Sequence, residues 1–96
     1  MKGGWVYIMA GGAHGTLYVG MTADLAARIT AHREGRGSEF CRDHGLTRLV
    51  YVERHEGIED AIVREKQMKK WKRQWKLRLI RGVNPDWRDL FGDVLA

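Results

Sequence analysis

Residues 5–32, WVYIMAGGAHGTLYVGMTADLAARITAH, restrict the possible folds more than any other stretch of the chain. Two short runs of β-branched and aromatic residues, Trp5–Met9 and Leu17–Met21, flank a glycine-rich segment, the pattern of a β-hairpin. A helical pattern follows over residues 22–34, with Thr22 or Asp24 at its start and Gly35 past its end as a C-cap. A hairpin that feeds straight into a helix must bury one sheet face beneath that helix. Each strand supplies one phenol, Tyr7 and Tyr18. On the helix, Arg28 and His32 fall within about 60° of the Leu25 direction, beside the apolar stripe and not opposite it. A cation placed there needs a partner or a task.

Residues 48–54, RLVYVER, read as a third strand pairing with the hairpin, with Leu49, Tyr51 and Glu53 on one side and Val50 and Val52 on the other. Residues 35–46 mix glycine with charge and show no period. They read as a loop, either over a nucleic-acid face with Arg36, Ser38 and Arg42 toward phosphates or as a plain connector. Gly57 opens a second helix over residues 58–71, and a third follows from Trp71 to Arg81 after a short break. Gly82, Asn84 and Pro85 end that helix, and Trp87, Leu90 and Phe91 are placed to fold back on the domain. The expected architecture is α+β, a small three-stranded antiparallel sheet flanked by about three helices. It forms one domain over residues 1–96, with a core near 3–80 and a tail at 82–96.

The second helix carries a carboxylate where an apolar residue belongs. Glu65 lies within about 20° of Ile58, in the middle of a stripe shared with Ala61, Ile62 and Met68. Burying an unpaired carboxylate costs several kcal/mol, so Glu65 either pairs with Arg28 or a lysine, or holds a metal. Tyr7 and Tyr18 have a similar choice between plain core packing and a shared site with Arg28, His32 and Glu65.

Lys and Arg total 17 against 12 Asp and Glu, a formal charge of +5. Such a balance on a small domain favours an anionic partner, nucleic acid first, since clustered cations release counterions at a phosphate backbone. The run from Arg64 to Arg81 is dense in these cations. Lys66, Lys69, Lys70, Lys72 and Arg73 are its candidate backbone contacts, with Trp71 and Trp75 either stacking on bases or packing the helix onto the sheet. Cys41 is the only cysteine, which excludes a disulfide framework and a cysteine-based zinc site and makes it a packing residue. No stretch approaches a membrane span or a signal peptide, so a cytoplasmic protein is expected.

These residues resemble the GIY-YIG nuclease superfamily, and most of all its small stand-alone bacterial branch, the UPF0213-like proteins. The first motif stands as Trp5-Val6-Tyr7 and the second as Tyr18-Val19-Gly20, with the helix arginine at Arg28 and the metal-binding glutamate at Glu65 in the REKQMKK run. Trp5 replaces the family's first glycine, and Leu77 stands where some members place an asparagine. The resemblance implies a metal-dependent endonuclease that hydrolyses phosphodiester bonds in DNA, ahead of RNA, with single-stranded or branched forms as candidate substrates. Glu65 would hold one Mg²⁺ or Mn²⁺, Arg28 would bind the non-bridging oxygens, Tyr7 would activate water, and Tyr18 and His32 would share orientation and proton transfer. A nucleic-acid-binding module of the same fold without catalysis, and a protein-interaction adaptor, are the alternatives.

Overall fold

The computed structural model describes residues 3–12 and 15–95, so Ala13 and His14 of the hairpin turn lie outside the described residues. Strands β1 (Gly4–Ala10) and β2 (Leu17–Thr22) form the hairpin, and β3 (Arg48–His55) pairs with the other edge of β1. All pairings are antiparallel, in the order β2-β1-β3. The central position of β1 explains its near-continuous apolar run. Covered on both faces, it has no need to alternate.

Helices cover the sheet on both sides. Helices α1 (Leu25–Arg33) and α2 (Glu39–His44) lie on the face that presents Tyr7 and Met9. Helices α3 (Ile58–Lys69) and α4 (Arg73–Val83) lie on the face of Val6 and Ile8, where Ala61, Met68 and Ile80 complete the core. A short α5 (Phe91–Leu95) closes the tail. The three long helices follow the sequence reading; α2 and α5 are additional to it.

Three local expectations need correction. The loop expected at 35–46 contains α2, capped by Ser38, whose hydroxyl accepts from the Cys41 amide at 3.4 Å, and ended by Gly45 in the left-handed conformation. Six residues with one buried side chain, Cys41, are too few to show a period. In β3, a register shift between Ile8 and Met9 puts Tyr51 opposite Ile8 but Leu49 opposite Met9. Leu49 therefore joins the α1 side and Tyr51 the α3 side, because one extra residue reverses the alternation on either side of it. On α3, Ile62 is exposed, and the inward line is Ile58, Ala61, Glu65 and Met68.

Asp24 proves to be the N-cap of α1, accepting from the Ala27 amide at 3.2 Å. The tail folds back as expected. Trp87 is buried in the α3 side of the core, while Leu90 and Phe91 pack on the other side. Asn84 holds the return. Its amide donates to the carbonyls of Val50 (3.1 Å) and Arg88 (2.9 Å), and its oxygen accepts from the Arg88 amide at 3.0 Å. Removing it leaves the buried Val50 carbonyl and two half-buried backbone groups of Arg88 without their partner, so Asn84→Ala should cost about 2 kcal/mol in urea unfolding.

Candidate active site

Tyr7 and Tyr18 face the same side of the hairpin, because Tyr7 pairs with Gly20 and Tyr18 with Met9 in the antiparallel register. Their rings lie 6.4 Å apart. What lets them meet is Gly20. A Cβ there would fall 2.5 Å from the Tyr7 hydroxyl and 3.0 Å from Tyr18 Cε2, so the position accepts only hydrogen. From α1 above, His32 points down between the phenols, edge-on to both rings with centroids 5.5 Å away. Its Nε2 is 2.7 Å from the Tyr7 oxygen. Gly37, just before α2, presses on the other side of the ring, where a Cβ would lie 2.6 Å from Nδ1.

The protonation states follow from burial. Tyr7 is 1% exposed, and desolvation, reinforced by Tyr18, pushes its pKa well above the ordinary phenol value. Desolvation and then the Arg28 cation push the His32 pKa below 6.5. At neutral pH a neutral Tyr7 therefore donates to a neutral His32 Nε2, which leaves the proton of the imidazole on Nδ1. That buried atom has no hydrogen-bond partner among the described residues.

The lowered pKa also fixes a pH dependence. Below pH 6.5 the unfolded chain binds a proton at residue 32 that the folded chain refuses, so stability falls as the pH drops through that value. Between pH 7 and pH 5, thermal unfolding of the wild type should shift down more than that of His32→Gln, in which the Tyr7 partner is kept without the titrating ring.

Arg28 stands exposed on α1, its guanidinium reaching the Gly37 carbonyl at 3.4 Å. Its charge acts on both Tyr7 and His32. Glu65 comes from α3 and lies close enough for its charge to act on Tyr7 as well. It is half-buried, and its partner is Lys69, one turn on, at 3.3 Å, not Arg28. The Lys69 ammonium in turn lies 5.8 Å from the Tyr18 ring centre. Tyr7, Tyr18, Arg28, His32 and Glu65 are thus neighbours, and Lys69 joins them.

Of the other cations named from sequence, Arg36 pairs with Glu34 and Arg42 with Asp43, while Ser38 is spent as the α2 cap. Arg73 donates to the Gly15 carbonyl at 2.7 Å, at the hairpin. Lys66, Lys70 and Lys72 are exposed. The two tryptophans divide. Trp71 packs against the core beneath the Arg64 guanidinium, whereas Trp75 is 45% exposed. Cys41 is buried and its thiol pushed up to about 11, in keeping with packing. Trp5 lies two residues along β1 from Tyr7, beside Asp24, Leu25, Val52 and Val94, and does not enter the phenol cluster.

Sequence reading alone did not find Gly20 and Gly37 as spacers, nor Phe40. The only sequence signal for the last two is the Ser38 and Gly45 cap pair that marks α2.

Among the described residues no group of three or more His, Cys, Asp or Glu is clustered to hold a metal. The donor set fits a hard cation that takes one carboxylate and keeps water and phosphate oxygens for its remaining positions. No helix among the described residues is long and apolar enough to cross a membrane.

The GIY-YIG catalytic domain matches residues 3–78, and the chain belongs to that nuclease family. Its relatives include the UPF0213 proteins of Staphylococcus aureus strains Mu3 and COL. Each is 37% identical over 81 residues, covering 84% of this chain and 98% of the relative. The solution NMR structure of UPF0213 protein BH0048 from Bacillus halodurans aligns at a TM-score of 0.57 with 29% identity, covering 91% of this chain and 92% of that one.

Proposed function

We propose that this protein is a metal-dependent endonuclease that hydrolyses phosphodiester bonds in DNA. The observation that carries this reading is the convergence of the Tyr7–His32 hydrogen-bonded pair with Tyr18, Arg28 and Glu65. Hydrolysis needs a deprotonated water and neutralisation of the charge that develops on the phosphoryl oxygens. Arg28, exposed and forked, binds two non-bridging oxygens. Tyr18, the less buried phenol, orients the attacking water. As the water oxygen bonds to phosphorus and the bond to the leaving oxygen breaks, the proton of that water passes to the Tyr7 oxygen while Tyr7 releases its own to His32 Nε2; the leaving oxygen takes a proton from solvent, and His32 then gives its proton up to solvent. This relay serves because burial disfavours a free Tyr7 phenolate. Glu65 would hold a Mg²⁺ or Mn²⁺ ion once Lys69 swings to the backbone, and that ion supplies charge neutralisation at the phosphate. Lys66, Lys70, Lys72 and Trp75 extend the contact to flanking nucleotides.

A labelled-strand assay over single-stranded, duplex and branched DNA and RNA, with Mg²⁺ or Mn²⁺, tests this. Cleavage of at least one form, lost in Arg28→Ala, is expected. The Glu65–Lys69 ion pair favours a second reading, a binding module in which the ammonium occupies the place of the metal. A wild type that binds every strand with a steep salt dependence and cuts none would establish that second reading.

A further inference from the structure

Helix α2 places a row of rings beside the candidate site. Phe40 and His44 are one turn apart, and their rings stack with centroids 4.2 Å apart and planes inclined at 24°. His44 is fixed by its Nδ1–H, which donates to the Phe40 carbonyl at 3.0 Å. Phe40 also lies near-parallel to Tyr18 but offset from it, at 6.2 Å and 27°. The helix is tied to the site through Gly37, which packs against His32 immediately before the Ser38 cap.

Phe40 is 42% exposed and is not part of the core cluster on this side, where Cys41 is the α2 residue that packs. With His44 against one face and Tyr18 offset from the ring, Phe40 keeps an exposed apolar π surface beside a site tyrosine. Arg28 is exposed beside His32, and Lys69, paired with Glu65, lies next to Tyr18, while on α2 Asp43 is paired with Arg42 and Glu39 is exposed. An anionic backbone would thus follow Arg28 and Lys69, with its base turned toward the rings.

We propose that Tyr18, Phe40 and His44 form a stacking subsite for one unpaired nucleobase next to the phosphate held by Arg28. This rests on the nuclease reading for the position of the phosphate, but not for the stacking itself. A paired base has both faces covered by its neighbours, so the occupant is a base from a single strand, a frayed end or a flap. Every base has a π face, so the subsite selects for being unpaired and not for sequence.

The test is fluorescence anisotropy with end-labelled single-stranded DNA and RNA oligonucleotides without divalent metal, either intact or with one abasic nucleotide moved along the strand. Wild type should lose roughly tenfold in affinity when the abasic nucleotide reaches one position. Phe40→Ala and Phe40→Leu should bind the intact strand roughly tenfold more weakly and show no abasic penalty at that position. Phe40→Trp should keep both. Circular dichroism is expected to be unchanged for all three, because the ring lies outside the core. An abasic profile in Phe40→Leu identical to wild type overturns the proposal. So does a wild-type dimer in sedimentation that Phe40→Ala dissociates, since the face would then be a protein interface. Stacking with no cleavage upon adding Mg²⁺ upholds the subsite and overturns the nuclease reading. Cleavage without any abasic penalty does the reverse.

Discussion

Glu65→Gln is expected to lower cleavage on the order of 10²–10³-fold, the loss seen when one charge-stabilising group is removed from a preorganised site. The substitution keeps shape and hydrogen-bonding capacity, so it removes little besides the negative charge. Its structural cost is small. Among the described residues the ion pair lost is to Lys69, whose side chain is half exposed, and such a pair within one helix contributes a few tenths of a kcal/mol. Strand binding should hold or tighten slightly, because Lys69 is released and one negative charge leaves a phosphate site. Cleavage rate, anisotropy and thermal unfolding on one preparation give all three values. A Glu65→Gln protein that cuts at the wild-type rate would remove Glu65 from the chemistry, and one that unfolds would make it a structural strut.

The second large effect is expected at a residue with no functional group. Gly20→Ala puts a methyl 2.5 Å from the Tyr7 oxygen and 3.0 Å from Tyr18 Cε2. Tyr7 cannot yield by rotating outward, since it is buried between β1, Leu25 and Ile29 and hydrogen-bonded to His32. Relief requires moving the phenol, the imidazole or the edge strand, at about 3 kcal/mol, the upper range for over-packing in a filled core. A shift of the ring by as little as ~1 Å can cost on the order of 10²-fold in rate. Gly45→Ala is the natural contrast. Its Cβ meets nothing within 4 Å, so its cost comes only from the left-handed backbone. If Gly20→Ala proves as stable and active as wild type, the phenols are not held as closely as the structure places them.

Much of this was legible in the sequence because long elements carry their own signals. The hairpin and α1 were marked by runs of β-branched and aromatic residues, glycines and the Asp24 cap, and α3 by a line of apolar residues that made Glu65 conspicuous. The same two elements marked His32 as a neighbour of the phenols but coupled it with Tyr18, whereas its hydrogen bond is to Tyr7. The remainder depends on contacts between distant segments. Nothing local says that Gly20 must lack a side chain, because the reason is a phenol on the neighbouring strand. The shift between Ile8 and Met9 that separates Leu49 from Tyr51 leaves the alternation of β3 intact when read alone. Ile62 fits the apolar line by angle yet is exposed, because the sheet beneath α3 is narrow and the covered stripe follows Ala61 and Met68. Phe40 was hidden because α2 is too short for a period.

The most direct test of one shared site is additivity. Cleavage of a single labelled strand is measured for wild type, Tyr7→Phe, Glu65→Gln and the double variant, with strand binding followed in each. If both residues act on the same phosphate, each single change lowers the rate strongly, the double change lowers it little further, and binding persists. Losses that multiply in the double variant, or a Tyr7→Phe protein that cuts like wild type, would contradict a common centre.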